Sequence, residues 1–214
     1  MQITDACVFP YPSGDSSLRR MALEARELGF NSIVAVDTQP GEYHGVTVLS
    51  GTIIRETSAK EVINRVKRAR DSGSVIIVQA RDNGFNRAVL GIKGVHVLCG
   101  IHAADKKAFD HVTAVMAAEN NVAMDLDLSP LITGRGIVRQ RAVHRYRDIL
   151  FMAAKFRFPL TISTHARSVL DMRSVREISG LCSLLGMDIP DVGNALSGIA
   201  TVIHKQPSGV RVIQ

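Results

Sequence analysis

Seven short strand-like runs, most of them rich in β-branched residues, recur along the chain, and most are separated by stretches with apolar residues three and four apart. The runs are Ile3–Phe9, Ser32–Asp37, Val46–Ile54, Val75–Ala80, Val95–Cys99, Val122–Leu128 and Leu160–Ser163. Between the first two, Leu18, Met21, Ala22, Ala25 and Leu28 share one helical face. Strands alternating with helices argue for a parallel sheet buried on both faces. Seven or eight such units in 214 residues predict a β/α barrel of the TIM type, irregular in detail, with an open doubly wound sheet as the alternative.

Local signals agree with that pattern. Ser58 with Glu61 and Ser174 with Glu177 fit the capping box, and Gly186 suits a helix C-terminus. Near the end, Val192, Leu196, Ile199 and Ile203 stand at helical spacing. This run is more apolar than a solvated terminal helix needs, so it is expected to close the barrel. No Pro/Gly/Ser-rich linker or internal repeat divides the chain, which predicts one domain over 1–214.

An apolar share of 46% and a charged share of 21% belong to a globular chain and exclude disorder. No apolar run reaches the ~20 residues needed to span a bilayer, and the N-terminus has no basic-then-apolar signal pattern. A cytoplasmic protein without membrane contact is the expectation. Cys7, Cys99 and Cys182 are odd in number, widely spaced and set among apolar residues. They are read as buried, reduced thiols rather than metal ligands.

The net charge of +6 is concentrated. Residues 129–180 hold ten Lys or Arg against three acids, while the rest of the chain holds sixteen against seventeen. Nine of those ten cations are Arg, whose planar fork suits phosphate. One quarter of the chain thus points to a polyanionic partner. In the predicted helix from Gly136 to Phe156, Val138, Ala142, Ile149 and Ala153 form the buried stripe. Arg139, Arg141 and Arg147 lie outside it, and Arg145 falls at its edge. A second run, Arg167, Arg173 and Arg176, follows the next strand and is expected on the same side of the barrel. An aromatic content of 5% with no Trp offers no stacking platform, so binding to a folded RNA through its phosphates is the expected mode.

Barrels gather function where strands enter the following loops. Those positions are Asp37, Arg55, Arg81, Asp82, His102, Asp125, Asp127, Thr164 and His165. Asp125 and Asp127, two apart on one strand, face the same way. They could hold Mg2+, or pair with Arg81, Arg145 or Arg167. A His-metal hydrolase barrel would carry His-x-His on an early strand; Asp5-Ala6-Cys7 stands there instead, and none of the seven histidines are three or four apart. Ser163-Thr164-His165 lacks a nucleophile elbow, and Gly134-Arg135-Gly136 is no phosphate loop.

Several ordered motifs carry a family resemblance: Lys107-Ala-Phe-Asp-His-Val, Ala-Ala-Glu-Asn-Asn-Val-Ala, Leu128-Ser-Pro-Leu, Tyr146-Arg-Asp-Ile-Leu, Ala166-Arg-Ser, Arg173-Ser-Val-Arg-Glu and Leu184-Leu-Gly-Met. From Lys106 to Ile203 the chain resembles the archaeal ribonuclease P protein component 3 family. The resemblance implies a β/α barrel related to metal-dependent phosphoesterases but without their ligands. It implies no catalytic residue and no cofactor on the protein, with Mg2+ held by the catalytic RNA that removes 5′ leaders from tRNA precursors. The implied partners are the ribonuclease P RNA, protein component 2, other holoenzyme proteins and, indirectly, the precursor tRNA. Candidate RNA contacts are Arg135, Arg139, Arg141, Arg167, Arg173 and Arg176, with Lys106 and Lys107. His165 stands where the family commonly has Gly, Asp127 where Asn is expected, and Asn83–Gly94 matches nothing in it. A stand-alone barrel phosphoesterase and a scaffold for proteins alone are the rival readings.

Overall fold

The computed structural model describes residues 2–70 and 72–204, so the expected domain span of 1–214 includes residues outside the described ones. Seven strands run parallel: β1 (Thr4–Val8), β2 (Ser32–Val36), β4 (Val46–Ile54), β5 (Val75–Gln79), β6 (Val97–Cys99), β7 (Ala123–Asp127) and β8 (Leu160–Ser163), adjacent in that order. The short β3 (Gly41–Tyr43) is antiparallel to β4. The ring closes beyond β8, where Val8 bridges Ala166 and the Phe9 N–H donates to the Ala166 carbonyl at 2.8 Å. This closure is what separates a barrel from the open sheet. The register of β1 slips between Asp5, opposite Ile33, and Val8, opposite Ala35. A bulge there re-aims the side chains between them.

The helices that return the chain are α1 (Leu18–Glu27), α2 (Ala59–Arg70), α3 (Asn83–Leu90), α4 (His111–Glu119), the single turn α5 (Ser129–Ile132), α6 (Ile137–Phe156), α7 (Val175–Ser183), α8 (Ile189–Leu196) and α9 (Gly198–His204). Alternation along each strand makes two cores. Outward residues such as Ile33, Ile76, Leu98, Met124 and Leu126 pack on the helices, and inward residues such as Cys7, Val34, Ile77, Cys99 and Ala123 fill the barrel. All three cysteines are buried and free, as their settings predict.

The C-terminal run does close the barrel, but as two helices. Val192 and Leu196 of α8 join the outer core, while Ile199 and Val202 of α9 plug the inner one. The break falls at Ser197 and Gly198. A Cβ on Gly198 would lie 2.0 Å from the Leu160 carbonyl oxygen, so only glycine lets α9 start this close to β8. Ser174 and Glu177 form the full capping box at α7. At α2 the Glu61 N–H donates to Ser58 Oγ at 3.3 Å, and Ser58 Oγ donates to the Glu61 carboxylate at 3.0 Å.

Candidate functional site

On β7, Met124 and Leu126 face the helices, which turns Asp125 and Asp127 into the barrel mouth. Asp125 accepts from Thr161 Oγ1 at 3.0 Å, Ser163 Oγ at 2.7 Å and His165 Nε2 at 3.2 Å. Asp127 accepts from the Ser129 N–H at 2.8 Å and lies 3.6 Å from His165 Nδ1 and 4.0 Å from His102 Nδ1. The buried Tyr146 hydroxyl donates to the Asp127 carbonyl at 2.5 Å and so accepts from His102 Nδ1 at 2.8 Å. The carboxylates therefore pair with histidines, not with Arg81, Arg145 or Arg167. Arg81 donates instead to the carbonyls of Glu56 and Arg55, Arg145 lines a cavity outside the barrel, and Arg167 stacks 4.4 Å from the Phe9 ring centre.

His165 sits between both carboxylates in a left-handed backbone conformation, φ 50°. Burial disfavours its charged form, but the Cys7 sulfur and the Asp125 and Asp127 carboxylates outweigh that and hold its pKa well above the ordinary imidazole value. Burial keeps the Cys7 thiol protonated near neutrality, so the carboxylates are the operative charges. His102 behaves oppositely: desolvation leads, and its pKa is lowered despite Asp127. Two histidines beside the same Asp127 carboxylate thus differ in the direction of their shifts because one lies between two carboxylates and the other has one at its margin. Asp125 spends three of its roughly four acceptor positions on Thr161, Ser163 and His165. Among the described residues no group of three or more His, Cys, Asp or Glu is arranged to hold a metal ion.

Asp5, deeper in the mouth, accepts from the Thr164 N–H at 3.0 Å and Thr164 Oγ1 at 2.5 Å, and from the Cys7 N–H at 3.3 Å across the β1 bulge. Burial lifts its pKa to about 6 in spite of these donors. A carboxyl whose folded pKa is raised stabilises most below its unfolded value and loses that contribution as pH rises through about 6. Asp5→Asn, which carries no charge, is expected to unfold at higher denaturant than the parent at pH 8 and to flatten the fall in stability between pH 4 and 7. Urea melts at several pH values test this; an unchanged slope would contradict it.

Other expected mouth residues have structural uses. Asp82 caps α3 by accepting from the Phe85 N–H, and the Asp37 N–H donates to the Gly51 carbonyl. Thr164 and His165 serve Asp5 and Asp125, which accounts for the Ser-Thr-His run. Sequence reasoning passed over Asp5 as a member of this network, although an Asp within an apolar strand was its signal. It also missed Tyr146, which belongs to the buried stripe of α6, whereas Val138 does not. The buried face of α6 is Ala142, Tyr146, Ile149 and Ala153. Val138 is 55% exposed because the first turn of α6 projects past the rim.

The cations divide between the two ends of the barrel. Lys106 and Lys107 lie in the loop after β6, and Arg135, Arg139 and Arg141 lie where α6 begins, all exposed at the C-terminal end of the strands. Arg167 joins them, donating to the Ser13 carbonyl at 2.6 Å. Arg173 and Arg176 do not. The adjacent Val175 N–H donates to the Leu28 carbonyl, just before β2 begins, which puts α7's start at the opposite end. The chain after β8 descends past α1 before forming a helix, so consecutive units do not bring both arginine runs together. Arg173 also spends its guanidinium on the carbonyls of Leu170 and Met172.

The sequence model of the family described as RNase P subunit p30 matches residues 2–206. The chain belongs to that family. The resemblance seen from Lys106 to Ile203 is thereby extended over the whole barrel. Curated relatives include the ribonuclease P protein component 3 of Methanothermobacter thermautotrophicus, 30% identical over 86% of this chain and 81% of that protein. That of Methanococcoides burtonii is 27% identical over 90% and 83%. A chain in a cryo-EM structure of archaeal ribonuclease P with mature tRNA shares the fold, with a TM-score of 0.76, 19% identity and 98% of both chains covered. A Xaa-Pro dipeptidase shares it more loosely, with a TM-score of 0.63, 11% identity and 97% and 77% coverage. RNase P subunit p30 proteins are protein subunits of a tRNA-processing endoribonuclease, and this chain is one of them. Among the described residues no helix is long and apolar enough to cross a membrane.

Proposed function

We propose that this subunit binds the ribonuclease P RNA through the cationic C-terminal rim of its barrel and supports the fold of an RNA that performs the cleavage with its own Mg2+. The observation that carries this reading is the set Arg135, Arg139 and Arg141: exposed, at one end, and with guanidinium groups that make no hydrogen bond or ion pair among the described residues. Guanidinium groups left unpaired at a helix start favour phosphate. Gly136, at φ 54° and ψ −127°, places no side-chain cap on the first N–H groups of α6, which adds donors to the same place. Lys106, Lys107 and Arg167 widen the rim; Arg173 and Arg176 are less suited, for the reasons above. Protein component 2 and other holoenzyme proteins are the proposed protein partners, the precursor tRNA is met through the complex, and the cytoplasm is the proposed compartment.

The stand-alone phosphoesterase is disfavoured by chemistry already in the mouth. Three of the roughly four acceptor positions of Asp125 are taken by Thr161, Ser163 and His165. The purified protein with Mg2+ or Mn2+ is therefore expected not to cleave a tRNA precursor, and cleavage is expected once the RNA is added. Metal-dependent cleavage by the protein alone, lost in Asp125→Asn, would overturn this.

A further inference from the structure

Outside the barrel, between the loop after β6 and the middle of α6, lies an open cavity of about 280 Å³. Ile101, Phe109, Ile149 and Met152 form its apolar walls, and Asp105, Lys106, Arg145 and Asp148 stand around it. Phe151 borders it and is 73% exposed, unusual for an aromatic ring on a helix flanked by charge. Arg145 is the anomaly: its Nε is buried and has no hydrogen-bond partner, although two carboxylates share the cavity. A buried donor without an acceptor costs about 1–3 kcal/mol and calls for an explanation.

We propose that this cavity receives one unstacked nucleobase of the bound RNA, with guanine the best match. The proposal rests on the RNA-subunit reading and deepens it. Size is the first argument, since at about 280 Å³ the cavity falls just below the usual range of ligand pockets, which run from roughly 300 Å³ upward, and so suits a single ring system. Charge is the second. Two acids and two bases cancel, so the site favours neither an anion nor a cation but a planar group with donors and acceptors on one edge. Guanine offers O6 and N7 to Arg145 and Lys106, and its N1–H and N2–H groups to a carboxylate. Asp105 keeps one oxygen for this, the other accepting from the Lys107 N–H at 2.8 Å. Phe151 supplies the face on which an extruded base stacks. Position is the third, because Arg141 lies one helical turn from Arg145 on the way to the cationic rim, so a strand held by its phosphates there reaches the cavity. The low aromatic content had argued against any stacking platform; one exposed ring in the right place is enough for one base.

The test uses the full chain and the ribonuclease P RNA. Phe151→Ala, a surface change, is expected to melt as the parent does, to bind the RNA about 5- to 150-fold more weakly, and to leave the salt dependence of binding unchanged, because stacking releases no counterions. Arg145→Met is expected to weaken binding without loss of stability, since it removes an orphaned donor. A second readout is the Met152 methyl resonance of the lone protein on adding guanosine monophosphate, expected to shift in the parent and not in Phe151→Ala. Parental RNA affinity in Phe151→Ala would overturn the proposal, as would loss of binding to a ribonuclease P protein partner instead of RNA. If the parent bound no RNA while Met152 still shifted, the RNA-subunit reading would fall and the base pocket would stand. With neither signal, both fall.

Discussion

Asp125→Ala is expected to lower the unfolding free energy by about 3–5 kcal/mol, the range for removing one member of a buried ion pair. The loss is large because three groups lose their acceptor together: Thr161 Oγ1, Ser163 Oγ and His165 Nε2. In a chain of this size the melting temperature should fall on the order of 10 °C. The pH dependence carries a second signature. His165 has a raised pKa in the fold, so its stabilising contribution is complete below the unfolded histidine value of about 6.5 and is lost as pH rises through the higher folded value. The parent should therefore lose stability on the alkaline side of neutrality, and Asp125→Ala should lose less across the same interval. Calorimetry of both proteins across pH 6–10 checks this. A change of under about 1 kcal/mol would mean the mouth is not held by this cluster.

The second large effect concerns the rim. The Arg135, Arg139 and Arg141 side chains are exposed and make no hydrogen bond or ion pair among the described residues, so the triple alanine variant is expected to melt like the parent. Its affinity for the ribonuclease P RNA at low salt should drop about 100- to 1,000-fold, which is about 0.9–1.4 kcal/mol for each of three solvent-exposed contacts, within the range of a typical net hydrogen bond. The drop should be similar for RNAs of different sequence, because phosphate contacts carry no base information. Arg176→Ala, at the far end of the barrel, should change affinity little. Arg173→Ala should cost stability instead, since its guanidinium holds the carbonyls of Leu170 and Met172.

Periodicity read the barrel well because alternation and crossover length are local facts, and each of the seven parallel strands was legible as a strand-like run, whereas the short β3 was not. Closure was not legible. It depends on Phe9 and Ala166, whose pairing across 157 positions leaves no local trace. The inward turn of Asp125 and Asp127 followed from period two, but their partners did not. Histidines reached them because His102 and His165 sit on the loops after β6 and β8, the two strands that flank β7, while Arg81 and Arg167 are long enough to find backbone carbonyls or Phe9 first and Arg145 lies outside the barrel. Val138 shows the limit of a helical stripe: spacing gives the face of α6 but not where the barrel beneath it ends. The charge count found the cationic quarter of the chain and could not say that it wraps around both ends of the barrel.

The central claim is that the rim grips RNA phosphates, and counterion release measures it directly. Each phosphate contact contributes about 0.7–0.9 to the slope of log affinity against log salt. Titrating the ribonuclease P RNA with the parent and with the Arg135, Arg139 and Arg141 triple alanine variant, from low to physiological salt, should show a slope shallower by about 2–3 in the variant. Identical slopes in two equally folded proteins would contradict the account.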